Sequence, residues 1–308
     1  MKKKILVIYY SQSGQLRDIL DNILYDIQDK VEIDIAEIKP VTPFPFPWKA
    51  NAFFDAMPES VELVPSPIQP LSHEVMDKDY DLVLFGYQSW FLSPSQPATS
   101  FLKSEYARVL KGKPVITVIG SRNMWLNGQE KVKEMLHGIG ATLVGNIVLV
   151  DRNTNLISLL TIIRWSFKGQ KAASGILPEA GVQTPDIKNA QRFGMQIYKH
   201  LQENRLHEVH KELLMQGAIH LRPGLVLLEK RGIKNFRKFA KYIRAKGGPG
   251  APERAGRVKL FQWLLTILVF ILSPISSLTA AIQLQLQKKS LLRDVEYFKG
   301  LKYEAGKI

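Results

Sequence analysis

Uninterrupted apolar runs alternate along the chain with stretches whose apolar residues recur every three or four positions. Residues 4–10 (KILVIYY) are continuously apolar, the pattern of a strand covered on both faces within a parallel sheet. Residues 15–29 then place Leu16, Ile19, Leu20, Ile23, Leu24 and Ile27 on one helical stripe. Runs at 31–38, 81–87 (DLVLFGY), 114–120 (PVITVIG) and 143–150 (LVGNIVLV) predict four further strands. Helices are predicted at 95–110, 127–139 and 185–205.

Strands alternating with helices predict an α/β fold with a doubly wound parallel sheet. Five strands suit a flavodoxin-like order, which places a ligand beyond the carboxyl ends of strands 1 and 3. The segment 40–70 interrupts this rhythm with eight prolines in 31 residues, accompanied by Phe44, Phe46, Trp48, Phe53 and Phe54. Proline removes the helix and central-strand options, so a long ordered loop is expected. Its rings are expected to cover either a substrate entrance or a second subunit, which would make the protein a homodimer.

The last third has a different pattern. From 230 to 259 there are eleven Lys/Arg and one acid, Glu253. Ile233, Phe236, Phe239, Ala240 and Ile243 form a stripe opposite Lys234, Arg237, Lys238, Lys241 and Arg244. This basic amphipathic helix suits an anionic membrane surface. Nothing in it reads bases, so no nucleic-acid partner is expected. Residues 260–287 carry no charge, and Ser273-Pro274 interrupts them after the intensely apolar LFQWLLTILVFIL. Thirteen helical residues reach about 20 Å, short of the ~30 Å hydrocarbon core. Four Lys/Arg lie in 245–259 and four in 287–301, so no positive-inside bias is present. A monotopic or re-entrant anchor, or an apolar wall for alkyl chains, is favoured over a crossing.

Charge sharpens this division. The net charge is +14 over 308 residues. Residues 1–205 hold 23 Lys/Arg against 21 Asp/Glu, and residues 206–308 hold 19 against 7. Two units are therefore expected, an α/β domain at 1–205 and a helical, basic and hydrophobic C-terminal extension at 206–308. The absence of cysteine removes thiolate nucleophiles and cysteine-ligated metal sites. The spacing HEVH around His207 and His210 is one residue short of a zinc motif, so no metal is expected. Lys2-Lys3-Lys4 leads into only six apolar residues, which predicts no signal peptide. The expected location is cytoplasmic, peripheral to the inner face of the cell membrane.

Three loops carry candidate chemistry. The first strand ends in Ser11-Gln12-Ser13-Gly14-Gln15-Leu16, which sets hydroxyls and backbone N–H groups at a helix N-terminus, where the dipole favours a phosphate. Neither a Walker loop nor G-x-G-x-x-G is present. The third strand ends in Tyr87-Gln88-Ser89-Trp90-Phe91, and the fourth in Gly120-Ser121-Arg122-Asn123-Met124-Trp125. An isoalloxazine ring needs a flat aromatic partner and donors for its polar edge, and these loops offer both.

The first loop resembles the phosphate loop of the flavodoxin family, Ser/Thr-x-Ser/Thr-Gly-x-Thr. Ser11, Ser13 and Gly14 match, and Leu16 departs where the family often has a third hydroxyl. The resemblance covers about residues 1–205 and implies FMN as cofactor. More narrowly, PFPFPW with FFDAMPES, the YQSWFLSPSQP loop and the SRNMW loop are similar to the bacterial dialkylresorcinol condensing enzymes, regarded as flavin-dependent aromatases. That resemblance implies oxidation of a hydrophobic small molecule, a 2,5-dialkylcyclohexane-1,3-dione, to a resorcinol.

The residues can be weighed against that chemistry. Condensation wants a Cys or Ser nucleophile with His, and the chain has neither cysteine nor a Gly-x-Ser-x-Gly elbow. Aromatising an acidic 1,3-dione needs enolisation and a hydride acceptor. Arg122 is the candidate for holding the enolate, with Tyr87 and Asn123 as hydrogen-bonding partners. Arg122 could equally hold the FMN pyrimidine edge or a surface carboxylate. The competing functions are an NAD(P)H-dependent quinone reductase and a flavodoxin-type electron carrier without a substrate of its own.

Overall fold

The computed structural model describes residues 2–272 and 288–308, so the second half of the uncharged stretch, 273–287, lies outside the described residues. Six strands form in chain order: β1 (Lys4–Tyr9), β2 (Glu32–Glu37), β3 (Leu82–Trp90), β4 (Ser93–Pro94), β5 (Pro114–Ser121) and β6 (Thr142–Val150). The parallel sheet has the order β2-β1-β3-β5-β6, the flavodoxin-like order expected. The two residues of β4 fold back antiparallel onto the end of β3.

The helices that cover the sheet begin with α1 (Gln15–Leu24), α2 (Ala50–Asp55), α3 (Met57–Val61) and α4 (His73–Asp77). There follow α5 (Gln96–Leu102), α6 (Leu126–Ile139), α7 (Asn155–Lys168), α8 (Thr184–Lys188) and α9 (Gln191–Gln202). The last third holds α10 (Val209–Met215), α11 (Pro223–Arg244), α12 (Ala255–Ile267) and α13 (Lys288–Lys299). Period-two alternation divides β1 between two cores. Ile5 and Val7 pack with α1 and α9, whereas Leu6 and Ile8 face the cluster of Phe101, Leu126 and Leu136 from α5 and α6. Helix α9 lies so close to α1 that a Cβ on Gly194 would fall 1.9 Å from the carbonyl oxygen of Ile23.

Four expectations need correction. The proline-rich segment is not helix-free: α2 and α3 form inside it, and Pro58 sits in the first turn of α3, where its missing N–H costs nothing. The predicted helix 95–110 ends at Leu102 and resumes as a 3-10 turn from Glu105. The predicted helix 185–205 is two, α8 and α9. Helix α7 follows β6 where the sequence pattern predicts no element.

Residues 206–308 pack against the sheet domain. Ile219, following α10, makes a parallel bridge to Val148 of β6. On α11, Ile233, Ala240 and Ile243 are fully buried with Met57, Val61 and Phe261. The apolar stripe expected to meet lipid is therefore committed to protein, chiefly to the insertion that composition alone read as loop. Arg254, fully buried, clamps the same junction: Nε donates to Asp55 Oδ1 (2.7 Å) and its two terminal nitrogens donate to Glu59 (2.8 and 3.1 Å). Glu229 of α11 accepts the backbone N–H of Asn127 (2.8 Å), capping the N-terminus of α6 with a carboxyl from a distant element. Among the described residues no helix is long and apolar enough to cross a membrane.

Candidate functional site

At the carboxyl ends of β1, β3 and β5 the chain encloses a cavity of about 590 Å³, within the range of small-molecule sites. Parallel strands force this convergence, because each hands the chain to its crossover helix at the same sheet edge.

The loop after β1 enters α1 at Gly14, whose φ of +83° is the left-handed conformation glycine adopts without strain. Gln12 ties three segments together. Its backbone N–H donates to Gln88 Oε1 (3.2 Å), its Nε2 to the Pro45 carbonyl (2.9 Å), and its Oε1 accepts from Trp48 Nε1 (3.2 Å). The Gln15 amide pairs with the backbone of Val182 in both directions, each at 3.0 Å. The backbone N–H of Trp48 donates to the Ser166 carbonyl (2.7 Å), which fastens the proline-rich segment to α7.

The β3 loop supplies rings. Trp90 meets Phe44, Trp48 and Tyr10 edge-on, with centroids 5.0, 5.4 and 5.9 Å away. Phe91 and Leu92 follow with φ of +49° and +63°. Two successive side-chain-bearing residues in the left-handed region cost about 1–2 kcal/mol each, and such strain concentrates at functional sites. Phe91 is held there against Phe53, 4.8 Å away.

From the β5 loop, Gly120, Ser121 and Arg122 reach the cavity. Arg122 is the one ionisable residue on its wall among the described residues. Its guanidinium donates to Asn155 Oδ1 (3.2 Å) and to the Asn155 carbonyl (3.5 Å), at the start of α7. Burial lowers its pKa and nearby Asp151 opposes that shift. An arginine so placed stays charged at neutral pH.

The structure thus gathers Gln12, Ser13, Gln15, Gln88, Ser89, Trp90, Phe91, Gly120, Ser121 and Arg122 around one space. Ser11 and Gly14 belong to the same β1 loop without lining the cavity. The remaining candidates lie elsewhere. Leu16 lies on the buried face of α1, packed into the core, so its side chain is unavailable to a ligand. Trp125 is buried at the start of α6 on the other side of the sheet. Tyr87 is fully buried, stacked on Phe85, and its hydroxyl donates to Gln129 Oε1 (2.7 Å). Burial holds its pKa well above the ordinary value, with Glu130 and Glu229 adding to the shift. It cannot partner Arg122. Asn123 does not line the cavity, and its Nδ2 turns to Asn155 Oδ1 (3.4 Å).

Two apolar walls complete the cavity, of which the one from residues 260–270 matches the apolar-wall alternative raised for the uncharged stretch, while the one from α7 has no counterpart in the sequence reading. Leu159, Ile162 and Ile163 of α7 form one, and Leu265, Val269 and Phe270 of α12 and the turn after it form another. The signal for α7 was present in NLISLLTIIRWSFK, a 14-residue apolar-rich stretch with glycine directly after it.

Neither a protein-family model nor a curated protein matches this sequence. Similar solved structures include a candidate flavoprotein from Bacteroides eggerthii, 18% identical, which covers 52% of this chain and 96% of its own with a TM-score of 0.39. A flavoprotein from Lactobacillus acidophilus, solved in complex with FMN, is 20% identical over 48% of this chain and 93% of its own, with a TM-score of 0.38. A candidate flavoprotein from Bacteroides uniformis is also 20% identical, over 49% and 94%, with a TM-score of 0.37.

Proposed function

We propose that the cavity binds FMN and that the protein is a flavin-dependent oxidoreductase, aromatising a 2,5-dialkylcyclohexane-1,3-dione to a dialkylresorcinol. The observation that carries this reading is a single cation, Arg122, on the wall of an otherwise uncharged aromatic and aliphatic cavity beside the N-terminus of α1.

The residues fit the cofactor. The first turn of α1 has N–H groups without intrahelical acceptors, and its dipole favours a phosphate. Ser11 Oγ, beside that turn, is buried without a hydrogen-bond partner in the described structure. No atom lies within 4 Å of where a Cβ on Gly14 would stand, so the backbone is approachable. Trp90 and Trp48 offer ring faces and edges, and Gln88 and Ser121 offer polar groups.

Bound FMN would supply a two-electron acceptor for hydride. The dione gives up one hydride to that acceptor and one proton to solvent at the cavity opening to become the resorcinol, so the oxidation balances with no nucleophile from the chain. A 1,3-dione is acidic enough to enolise without a strong base, and among the described residues no Asp, Glu, His or Lys lines the wall. Arg122 holds the enolate oxygen by charge and hydrogen bonds, and Asn155 orients the guanidinium. The aliphatic walls of α7 and α12 accept the alkyl chains and exclude water.

Titration calorimetry with FMN tests the reading, with 1:1 binding expected. Gly14→Asp should abolish binding by setting a carboxylate against the phosphate, whereas Gly14→Asn, equally tolerant of positive φ, should retain much of it. Well-folded protein that takes up no FMN would overturn the proposal.

A further inference from the structure

Helices α7 and α12 each turn a second apolar face outward, away from the cavity. On α7, Leu156, Ile157 and Leu160 are exposed one turn from the lining residues Leu159 and Ile163. On α12 and the turn after it, Leu260, Trp263, Leu264 and Leu268 are exposed, and Trp263 is 64% accessible. Both helices also line the cavity, and Phe270 both lines it and is 41% exposed, so the cavity reaches the surface beside α12. Exposed large apolar side chains grouped on one helix face mark an interaction site.

Charge indicates the occupant. Lys241, Lys246 and Lys259 are exposed where α11 gives way to α12, and none makes an ion pair within the described residues. Arg257 adds a further cation to this segment, whereas Arg254 is buried against Asp55 and Glu59 and contributes no surface charge. Leu, Phe and Trp on one face with lysines beside them match the interfacial zone of an anionic bilayer better than the surface of another protein.

We infer that the exposed faces of α7 and α12 dock into the headgroup region of an anionic membrane, opening the cavity to the lipid phase. A substrate with two alkyl chains then enters from the bilayer without crossing water. The docking stands on the exposed surface alone and draws on the oxidoreductase reading only to name what enters.

Flotation of the full-length protein with phosphatidylcholine vesicles, with and without phosphatidylglycerol, tests this, with FMN titration of each variant in parallel. Wild type should float with the anionic vesicles and bind the neutral ones far more weakly. Lys241→Gln/Lys246→Gln/Lys259→Gln should lose roughly fivefold per lysine on anionic vesicles. Trp263→Ser/Leu268→Ser should lose at least tenfold on both, and neither set should change FMN affinity. Wild type that fails to float, or variants that float like wild type, would overturn the inference. So would a wild-type dimer that Trp263→Ser/Leu268→Ser dissociates without any vesicle binding, since a second copy would then cover the face. Flotation without FMN uptake would sink the cofactor reading and leave the docking face standing.

Discussion

The indole N–H of Trp48 donates to Oε1 of Gln12 across 3.2 Å, joining the proline-rich segment to the loop that enters α1. Trp48 is 7% exposed and also touches Phe44, Phe53 and Trp90. Trp48→Ala should therefore cost about 3–5 kcal/mol by urea denaturation, the usual range for deleting a packed tryptophan. Proteolysis within residues 40–50 should accelerate with it. Trp48→Phe keeps the ring contacts but loses the donor, and should cost about 1–2 kcal/mol.

Arg254 holds Asp55 and Glu59 in a place shielded from water. Removing one member of a buried ion cluster leaves the others uncompensated. Arg254→Met should destabilise the protein by about 3–5 kcal/mol, read from the denaturation midpoint. The exposed pair Arg17 and Asp21 is the contrast, and Arg17→Met should cost under about 1 kcal/mol.

Glu229 supplies a pH dependence. Burial pushes its carboxyl up to about 8, against the opposing hydrogen bonds from Asn127, Leu126 and Trp125. An unfolded glutamate ionises near 4.3, so between these values the folded state binds the extra proton. Stability from this group is therefore greatest below about pH 4 and is lost progressively as pH rises toward 8. Thermal unfolding of Glu229→Gln should vary less over pH 5 to 8 than that of wild type, the two curves diverging by a few kcal/mol. His210, whose pKa burial lowers, acts in the opposite sense and is common to both proteins. Parallel curves would refute the assignment.

The five long strands and three cavity-lining loops are legible in the sequence because parallel strands are apolar on both faces and the loops leave one edge of the sheet. Direction is less legible. Tyr87 follows Gly86 in β3, and alternation sends it to the side opposite α1, into Gln129. Trp125 reads as a loop aromatic but begins α6 and turns into the core. The stripe on α11 gives its amphipathic character correctly and its partner wrongly, since that partner is α3, folded within a segment whose prolines argue for loop. The walls from α7 and α12 depend on contacts across more than a hundred residues, which local periodicity does not encode.

Arg122 separates two roles. As an enolate-holding group, Arg122→Ala should slow flavin reduction by substrate about 10²–10³-fold, the usual cost of losing an oxyanion donor. FMN affinity should fall less than tenfold. Arg122→Lys keeps the charge without the planar fork and should be intermediate. An FMN affinity loss matching the rate loss would assign Arg122 to the cofactor instead.

The decisive measurement is anaerobic mixing of FMN-loaded protein with a 2,5-dialkylcyclohexane-1,3-dione. The flavin's visible absorbance should bleach in a single turnover, with one equivalent of dialkylresorcinol formed. Flavin that stays oxidised with the dione while NAD(P)H bleaches it rapidly would rule out the aromatase and establish a reductase.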